Sequence, residues 1–181
     1  HEIQSDLPER LSGRQVVSIF RRGKYLLFDC ESDRGGGWLI VHLGMSGCLR
    51  VLPQDTPPRP HDHVDIHLED GAMLRLSDPR RFGALLWQPA GQTHELLAHL
   101  GPEPLDEAFH VDYLMRAAAG RSAPVKHFLM DQRIVVGVGN IYASEALFRA
   151  GIRPTTPANR VSLMRLTRLV DAVRDTLQDA I

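Results

Sequence analysis

The sequence is poor in cysteine, carries almost no net charge and has no long hydrophobic run. Its cysteines are Cys30 and Cys48, too few for a four-cysteine zinc site, and their strand-like apolar surroundings favour a reduced structural role over a disulfide. The formal net charge of −1 argues against a uniformly basic nucleic-acid binder, so any such function must depend on local charge. No segment approaches the ~20 apolar residues of a membrane span, and no basic-then-apolar leader opens the chain. We therefore expect a cytoplasmic protein with no membrane partner.

The apolar residues that are present follow two different patterns along the chain. Of its 181 residues, 43% are hydrophobic and 24% are charged, which suits one large domain or two small ones. Short β-type runs alternate with turn residues in the first part, at 16–20, 25–28, 38–43, 64–68, 73–76 and 84–87. The later spacing is helical, over 106–118, 122–132, 140–150 and 161–180.

This change of pattern predicts an α+β protein with two lobes. We assign residues 1–98 to a β-sandwich or barrel-like lobe, residues 99–105 to a linker rich in Gly and Pro, and residues 106–181 to a helical lobe. The last predicted helix has the clearest apolar stripe, which we interpret as core rather than as a cofactor contact. The stripe consists of Leu166, Leu169, Val170, Val173, Leu177 and Ile181.

The most informative stretch is the apolar run at 135–147, which breaks on two glycines and restarts as a predicted helix. Gly137 and Gly139 let the backbone turn with φ > 0 and approach a ligand closely. Asn140 is a favourable N-cap residue, and the amides at the positive end of a helix dipole attract anions. The natural ligand of such a helix start is a phosphate.

Three interpretations of this stretch compete. A dinucleotide-binding fingerprint would need Gly or Ala where Tyr142 stands and an acidic residue near 157–161, where the sequence has none. A helix, turn, helix unit that grips a nucleic-acid backbone is favoured by the preceding segment, with Ser122 as N-cap and Pro124 just inside the helix. The third interpretation is a glycine turn between two core helices with no ligand, which would be preferred if this segment stood alone.

Three further segments carry residues suited to a ligand. Lys24 ends the basic cluster 21–24 and could face a cleft from a sheet edge, although most charge clusters are simply solvated. Met45 stands between two glycines at a strand end, where a mobile apolar tip suits insertion and a plain hairpin turn is equally consistent. Arg80 and Phe82 lie on a turn closed by glycine, a composition expected of a base-stacking wedge with phosphate contacts.

The densest group of metal-ligand side chains lies at 61–67. Strand alternation puts His63, Asp65 and His67 on one face, and two histidines with a carboxylate could bind zinc or iron. Successive residues on that face are about 6.6 Å apart, too far for His63 and His67 to share an ion without a bulge. We therefore predict no metal site and interpret the group as a solvated strand face, with His61 free to donate to a phosphate.

Taken together, these ordered segments resemble the bacterial formamidopyrimidine-DNA glycosylase family. The resemblance covers most of the chain and is carried by residues 21–27, 42–47, 61–65, 78–83, 99–105 and 130–148. It implies an N-terminal β-sandwich, a helical domain with a helix–two-turn–helix element, and duplex DNA bound between them. It also implies base-excision repair of oxidised purines, 8-oxoguanine and formamidopyrimidines, by N-glycosylase and AP-lyase chemistry.

The resemblance implies roles for individual residues as well. Met45, Arg80 and Phe82 match the trio that fills the hole left by an extruded nucleotide, where an apolar side chain and a cation offset part of the lost stacking. Lys24 matches a lysine of the catalytic cleft that donates a proton during strand cleavage. A backbone grip, which positions the duplex without choosing the lesion, is implied for His42, His61, Arg80, Arg121, Lys126, Gly139, Asn140 and Tyr142.

Two features of the family have no counterpart in the sequence. The family's nucleophile is an N-terminal proline beside a glutamate, whereas this chain starts at His1 and its Glu2 is not that glutamate. The family ends in a four-cysteine zinc hairpin, whereas this chain stops inside its last predicted helix. We therefore expect a piece truncated at both ends that holds no cofactor, while the parent protein holds one structural zinc. We expect a monomer that excises no base and binds damaged duplex DNA weakly, with a steep salt dependence.

Two alternatives remain open at this point. An endonuclease VIII type relative would act on oxidised pyrimidines, although the 78–83 turn and the Met45 tip favour the purine branch. A non-catalytic DNA-binding relative that never carried the proline would use the same backbone grip.

Overall fold

The computed structural model describes residues 2–180, in two compact units, His1–Thr93 and His94–Ile181. The described strands all lie in the first unit, and the longer helices lie in the second, so the predicted α+β fold class is confirmed. The segment 99–105, predicted as a linker, lies inside the second unit. Ile181, the last residue of the predicted apolar stripe, lies outside the described residues.

The first unit consists of two β-sheets and one short helix. Its elements are β1 (Glu2–Ile3), α1 (Leu7–Leu11), β2 (Gln15–Arg22), β3 (Tyr25–Glu31), β4 (Gly37–His42), β5 (Cys48–Pro53), β6 (Asp62–His67), β7 (Ala72–Ser77) and β8 (Ala84–Pro89). One sheet has the strand order β1-β8-β4-β3-β2 and the other the order β5-β7-β6. Each predicted strand segment corresponds to one of these strands. β1 and β5 are additional: β1 is only two residues long, and β5 buries only Leu49 and Leu52 in part.

The two sheets share one apolar core, so the first unit is a β-sandwich. Phe28, Leu39 and Leu85 of the larger sheet are buried in the same cluster as Leu76 of the smaller sheet. Burial of each such side chain contributes about 1.5–3 kcal/mol relative to an exposed position. In β6, Val64 and Ile66 pack against this core while Asp65 and His67 are exposed, as the alternation predicts.

The second unit is helical and has a core of its own. Its helices are α2 (Glu95–Ala98), α3 (Val111–Ala118), α4 (Val125–Met130), α5 (Asn140–Arg149) and α6 (Leu163–Gln178), with a 3₁₀ turn at Ala158–Arg160. Leu166, Leu169, Val170 and Val173 are buried in that core, so the apolar stripe of α6 packs inward as predicted. Among the described helices, none is both long and apolar enough to cross a membrane.

α3, α4 and α6 begin later than the sequence predicts, and two predicted N-caps are wrong. The N-cap of α3 is His110, whose ring accepts a hydrogen bond from the Tyr113 amide. The prediction of Ser122 as the N-cap of the next helix is wrong, because α4 begins at Val125 after Pro124. The prediction of Asn140 as the N-cap of α5 is also wrong. Gly139 holds that position in an extended conformation, with φ of −102° and ψ of −172°, and Asn140 is the first helical residue.

Candidate nucleic-acid interface

Two loops lie side by side at one end of the sandwich because of how the strands pair. The Met45 turn (residues 43–47) leads from β4 to β5, and the Arg80 loop (residues 78–83) leads from β7 to β8. The register pairs His42 with Ala84 and Cys48 with Ser77. Both connections must therefore cross between the sheets at the same edge, which brings together segments more than thirty residues apart in sequence.

The side chains on these two loops form an exposed apolar surface beside a cation. Met45 is 73% exposed and Phe82 is 57% exposed. The Arg80 Nη1 atom lies 3.8 Å from the Met45 sulfur. Exposed methionine, phenylalanine and arginine in this arrangement have the chemistry of a wedge that can enter a base stack. The structure thus places the predicted trio on one surface.

A buried carboxylate connects the two loops. Asp78 is completely buried. Its Oδ2 accepts a hydrogen bond from the Gly83 amide at 2.7 Å, and its Oδ1 accepts one from the Ser46 hydroxyl at 3.3 Å. Burial by itself would raise the pKa of Asp78, but these bonds and those from the amides of Arg80 and Phe82 outweigh it and hold the pKa below its usual value. No role was predicted for Asp78 from the sequence, although a carboxylate that opens a glycine-closed turn is a recognisable signal.

His42 lies beneath the same loops, and its ring is engaged inside the protein. Its Nδ1 accepts a hydrogen bond from the Gly44 amide at 3.2 Å, and its ring lies 5.0 Å from that of Tyr25. Burial lowers the pKa of His42, a hydrogen bond to the backbone of Phe82 opposes this, and the positive charge of Lys24 adds to the lowering. Lys24 directly precedes Tyr25, which pairs with His42 in the register of β3 and β4. The phosphate contact predicted for His42 stays a prediction, and in this structure the ring joins the Met45 turn to the Arg80 loop.

His61 and His63 support the Arg80 loop from β6. His61 is exposed, has a φ of 74°, and its carbonyl accepts a hydrogen bond from the Asp78 amide at 2.9 Å. The His63 Nε2 lies 2.9 Å from the Asp78 carbonyl oxygen. His61 therefore lies beside the start of the Arg80 loop, and its predicted phosphate contact stays a prediction.

The carboxylate in the histidine-rich segment 61–67 forms an ion pair with an arginine. Arg75 is buried and donates to both oxygens of Asp65, at 2.7 and 2.8 Å, which lowers the pKa of Asp65. Over residues 2–180, no group of three or more His, Cys, Asp or Glu side chains is placed to hold a metal ion. Cys30 is buried and Cys48 is exposed, both as free thiols, so the described residues do not supply a four-cysteine zinc site.

The second unit presents a helix start with outward-facing amides. Gly137 has a φ of 78°, which turns the chain between α4 and α5. The first hydrogen bond of α5 in the described chain runs from the Ala143 amide to the Gly139 carbonyl. The amides of Asn140, Ile141 and Tyr142 therefore have no acceptor within the helix, and they stand at the positive end of its dipole. This arrangement suits a phosphate.

Gln132 holds this turn in shape, a role that the sequence analysis missed. Its Oε1 accepts a hydrogen bond from the Gly137 amide at 3.1 Å, and its Nε2 donates to the Val138 carbonyl at 3.4 Å. A polar residue between the apolar runs that end at Met130 and begin at Ile134 is the signal that could have revealed it. The side chain closes the turn that leads to the helix start.

The N-terminus of α4 differs, because its amides already have acceptors. The amides of Val125 and Lys126 donate to the carbonyls of Thr156 and Pro154, so any phosphate contact of Lys126 must come from its half-buried side chain. Arg121 lies 3.6 Å from Asp131, which partly neutralises it. Tyr142 is half-buried against the helical core.

The predicted site residues thus fall into two groups, one in each unit. The first unit brings together Lys24, His42, Met45, His61, Arg80 and Phe82 around the Met45 turn and the Arg80 loop. The second unit carries Arg121, Lys126, Gly139, Asn140 and Tyr142 on and around α4 and α5.

Two domain families match the sequence, and together they cover most of it. Residues 1–85 match the formamidopyrimidine-DNA glycosylase N-terminal domain. Residues 100–181 match the formamidopyrimidine-DNA glycosylase H2TH domain. The boundary between the two matches falls in the same part of the chain as the change from strands to helices.

Individual proteins agree with this assignment. The formamidopyrimidine-DNA glycosylase of Stenotrophomonas maltophilia K279a is 59% identical over 179 residues, which are 99% of this chain and 65% of that protein. A complex of Lactococcus lactis Fpg with DNA containing an abasic site superposes with a TM-score of 0.89 at 32% identity, over 97% of this chain and 64% of that one. A MutM protein in complex with DNA containing carbocyclic 8-oxo-G gives a TM-score of 0.89 at 33% identity, over 97% and 66%. The chain therefore spans 65% of the length of its curated relative.

Proposed function

The chain belongs to the formamidopyrimidine-DNA glycosylase family, and from that premise we propose that it is the lesion-probing and backbone-gripping part of a base-excision repair enzyme. Its partner is damaged duplex DNA. The related structures bound to DNA with an abasic site and with carbocyclic 8-oxo-G support oxidised purines as the substrate class. Excision and strand cleavage belong to the whole protein, of which this chain spans 65% of the curated relative's length.

The proposal is carried by the surface formed by Met45, Arg80 and Phe82. An enzyme that acts on a base inside a duplex must extrude the nucleotide, which costs a few kcal/mol of stacking and pairing. Met45 and Phe82 are largely exposed and lie on adjacent loops, and an apolar patch of this kind is typical of an interaction surface. Inserted into the vacated stack, they replace lost base contacts, while Arg80 beside them supplies a donor and a positive charge.

The second unit positions the duplex rather than choosing the lesion. The outward amides of Asn140, Ile141 and Tyr142 and the positive end of α5 favour a phosphate oxygen. Lys126 and Arg121 add positive charge near this helix pair. Contacts of this kind set the register of the protein on DNA but carry no sequence or lesion information.

Lys24 is the residue that we propose takes part in chemistry. It lies in the β2–β3 turn directly before Tyr25, the partner of His42 in the register of β3 and β4, on the same end of the sandwich as the wedge surface. An ammonium group there can donate a proton to a leaving oxygen during strand cleavage.

The direct test compares Phe82→Ala with Phe148→Ala, another exposed phenylalanine at 87% exposure. The two substitutions remove the same exposed ring from different surfaces. We expect Phe82→Ala to weaken binding to a duplex with a tetrahydrofuran abasic site by about tenfold, since base–aromatic stacking is worth roughly 1–3 kcal/mol. Affinity for the undamaged duplex should not change, and Phe148→Ala should alter neither. Equal effects of the two variants would contradict the proposal.

Salt dependence separately tests the backbone grip, that is, the proposed contacts with DNA phosphates. Binding to any duplex should fall steeply between about 50 and 200 mM salt, and Lys126→Gln should reduce the slope of log K against log salt by about 0.9. Equal affinity for duplex DNA at low and high salt would contradict the proposed phosphate contacts.

A further inference from the structure

Asp78 is completely buried, yet it belongs neither to the wedge of Met45, Arg80 and Phe82 nor to the backbone grip. We propose that Asp78 is a positioning residue: its carboxylate holds the Met45 turn and the Arg80 loop in register, so that Met45, Arg80 and Phe82 act as one wedge. The DNA part of this inference rests on the proposed function. The loop geometry can be tested without DNA.

The two carboxylate oxygens serve different loops. Oδ2 accepts from the Gly83 amide at 2.7 Å, which closes the Arg80 loop on itself. Oδ1 accepts from the Ser46 hydroxyl at 3.3 Å, and Ser46 is the residue next to Met45. One side chain therefore determines both the shape of the Arg80 loop and its distance from the Met45 turn.

The backbone of Asp78 is itself fixed by a third segment. Its amide donates to the His61 carbonyl at 2.9 Å, and its carbonyl oxygen lies 2.9 Å from the His63 Nε2. Both histidines belong to the β6 end of the smaller sheet. The carboxylate is therefore presented from a fixed point, as a positioning group requires.

Gly83 lies close to both the Asp78 carboxylate and the end of β4. A methyl group on Gly83 would lie 2.9 Å from the His42 carbonyl oxygen and 3.1 Å from the Asp78 Oδ2. Loss of the hydrogen bond to Gly83 would leave a buried amide without its acceptor, an arrangement that proteins avoid. The loop would then have to move, and it would carry Phe82 with it.

The decisive variant is Asp78→Asn, which keeps the shape of the side chain but replaces one acceptor oxygen by a donor. Ser46→Ala removes only the bond to the Met45 turn. The matched control is Asp70→Asn, an exposed aspartate whose Oδ1 accepts from the Ala72 amide at 3.0 Å in the turn between β6 and β7. Three quantities are measured: hydrogen exchange of the Gly83 amide, the methyl resonance of Met45, and the ratio of affinities for abasic-site and undamaged duplexes.

We expect Asp78→Asn to speed Gly83 exchange by about tenfold, to shift the Met45 methyl resonance, and to lower the affinity ratio by about fivefold. Ser46→Ala should shift the Met45 resonance and lower the ratio while Gly83 exchange stays unchanged. Asp70→Asn should change none of the three. The different Gly83 exchange rates expected for Asp78→Asn and Ser46→Ala separate positioning from general destabilisation. General destabilisation would accelerate amide exchange throughout the sandwich in both variants.

The inference is overturned if Asp78→Asn speeds Gly83 exchange but leaves the Met45 resonance and the affinity ratio at their original values. If Asp78→Asn does not fold, Ser46→Ala decides alone, and an unchanged Met45 resonance overturns the inference. If the unsubstituted chain does not prefer the abasic-site duplex, the proposed function fails, while the Gly83 and Met45 measurements still decide whether Asp78 positions the loops.

Discussion

Gly44 and Phe82 lie so close that a methyl group on Gly44 would stand 2.7 Å from the carbonyl carbon of Phe82. Gly44 also has a φ of 63°, in the left-handed region that side chains disfavour. The approach of the Met45 turn to the Arg80 loop therefore depends on the absence of a side chain at this position.

Gly44→Ala should destabilise the first unit more than Gly13→Ala does. Gly13 has a φ of 71° and no atom within 4 Å of an added methyl group, so both variants incur the left-handed strain of about 1–2 kcal/mol. Only Gly44→Ala must also displace backbone, which adds about 1–3 kcal/mol. Urea unfolding of the two variants measures the difference. Equal losses of stability would mean that the loops are not in contact in solution.

The hydrogen bond from Gly44 to His42 predicts a pH dependence. Burial holds the pKa of His42 below its usual value in the folded state, so the unfolded chain binds the proton first. The stability contributed by the neutral ring is therefore complete above about pH 6.5 and is lost as the pH falls through the folded-state pKa. Between pH 7.5 and pH 5.5, the unfolding midpoint should change less in His42→Gln than in the unsubstituted chain. An equal change in both would contradict a stabilising role for the neutral His42 ring.

Lysine should not be able to replace Arg75 in stabilising the first unit. Besides its two bonds to Asp65, its guanidinium donates to the carbonyls of Thr56 and Pro57, each at 3.0 Å, which ties the proline-rich loop to β7. Lysine cannot reproduce this fork. We expect Arg75→Lys to lower the unfolding free energy more than Arg10→Lys, which alters an exposed pair with Asp6, and to speed exchange of the Thr56 amide. Slow Thr56 exchange in Arg75→Lys would show that the loop has another anchor.

Gln132→Leu should loosen the turn before α5. The amide of Gly137 and the carbonyl of Val138 lose their side-chain partner, at a cost of about 1 kcal/mol for each bond. We expect faster exchange of the Gly137 amide and weaker binding to damaged and undamaged duplexes alike, since the proposed function assigns this turn to phosphate contacts and not to the lesion. The exposed Gln178 supplies the control, Gln178→Leu, which should change neither quantity. A loss confined to damaged DNA would contradict the assignment of this turn to the backbone grip.

The two cysteines should differ in reactivity. Cys48 is exposed and Cys30 is buried, and burial raises the pKa of the Cys30 thiol, so less of the reactive thiolate forms there. A thiol reagent should label Cys48 quickly and reach Cys30 only after unfolding. Labelling of Cys30 at a similar rate in the folded chain would show that the sandwich core opens readily.

The kinds of element and their order could be predicted from the sequence. Short apolar runs between turn residues identify β2, β3, β4, β6, β7 and β8, and β6 also shows the two-residue period of a strand with one buried face. The helical spacing of Leu166, Leu169, Val170 and Val173 identifies the buried face of α6 for the corresponding reason. The weakly patterned strands β1 and β5 were missed, since neither presents a clear buried face.

The ends of the helices could not be predicted to the residue. Asn140 and Ser122 have the chemistry of N-caps, but the caps are Gly139 and Pro124. The start of α4 is set by its bonds to the carbonyls of Thr156 and Pro154, which are distant in sequence. A local preference of about 1 kcal/mol is easily overridden by such contacts.

For the candidate site, the available residues can be read from the sequence: a methionine, an arginine and a phenylalanine on glycine-bounded turns, and a glycine-rich start to α5. The contact of Met45 with Arg80, the joining of their loops by Asp78 and His42, and the closing of the turn before α5 by Gln132 are visible only in the folded chain. The reason is physical. Side-chain periodicity is a property of a single element, whereas these contacts arise from the pairing of β4 with β8 and of β5 with β7, and from packing between residues far apart along the chain.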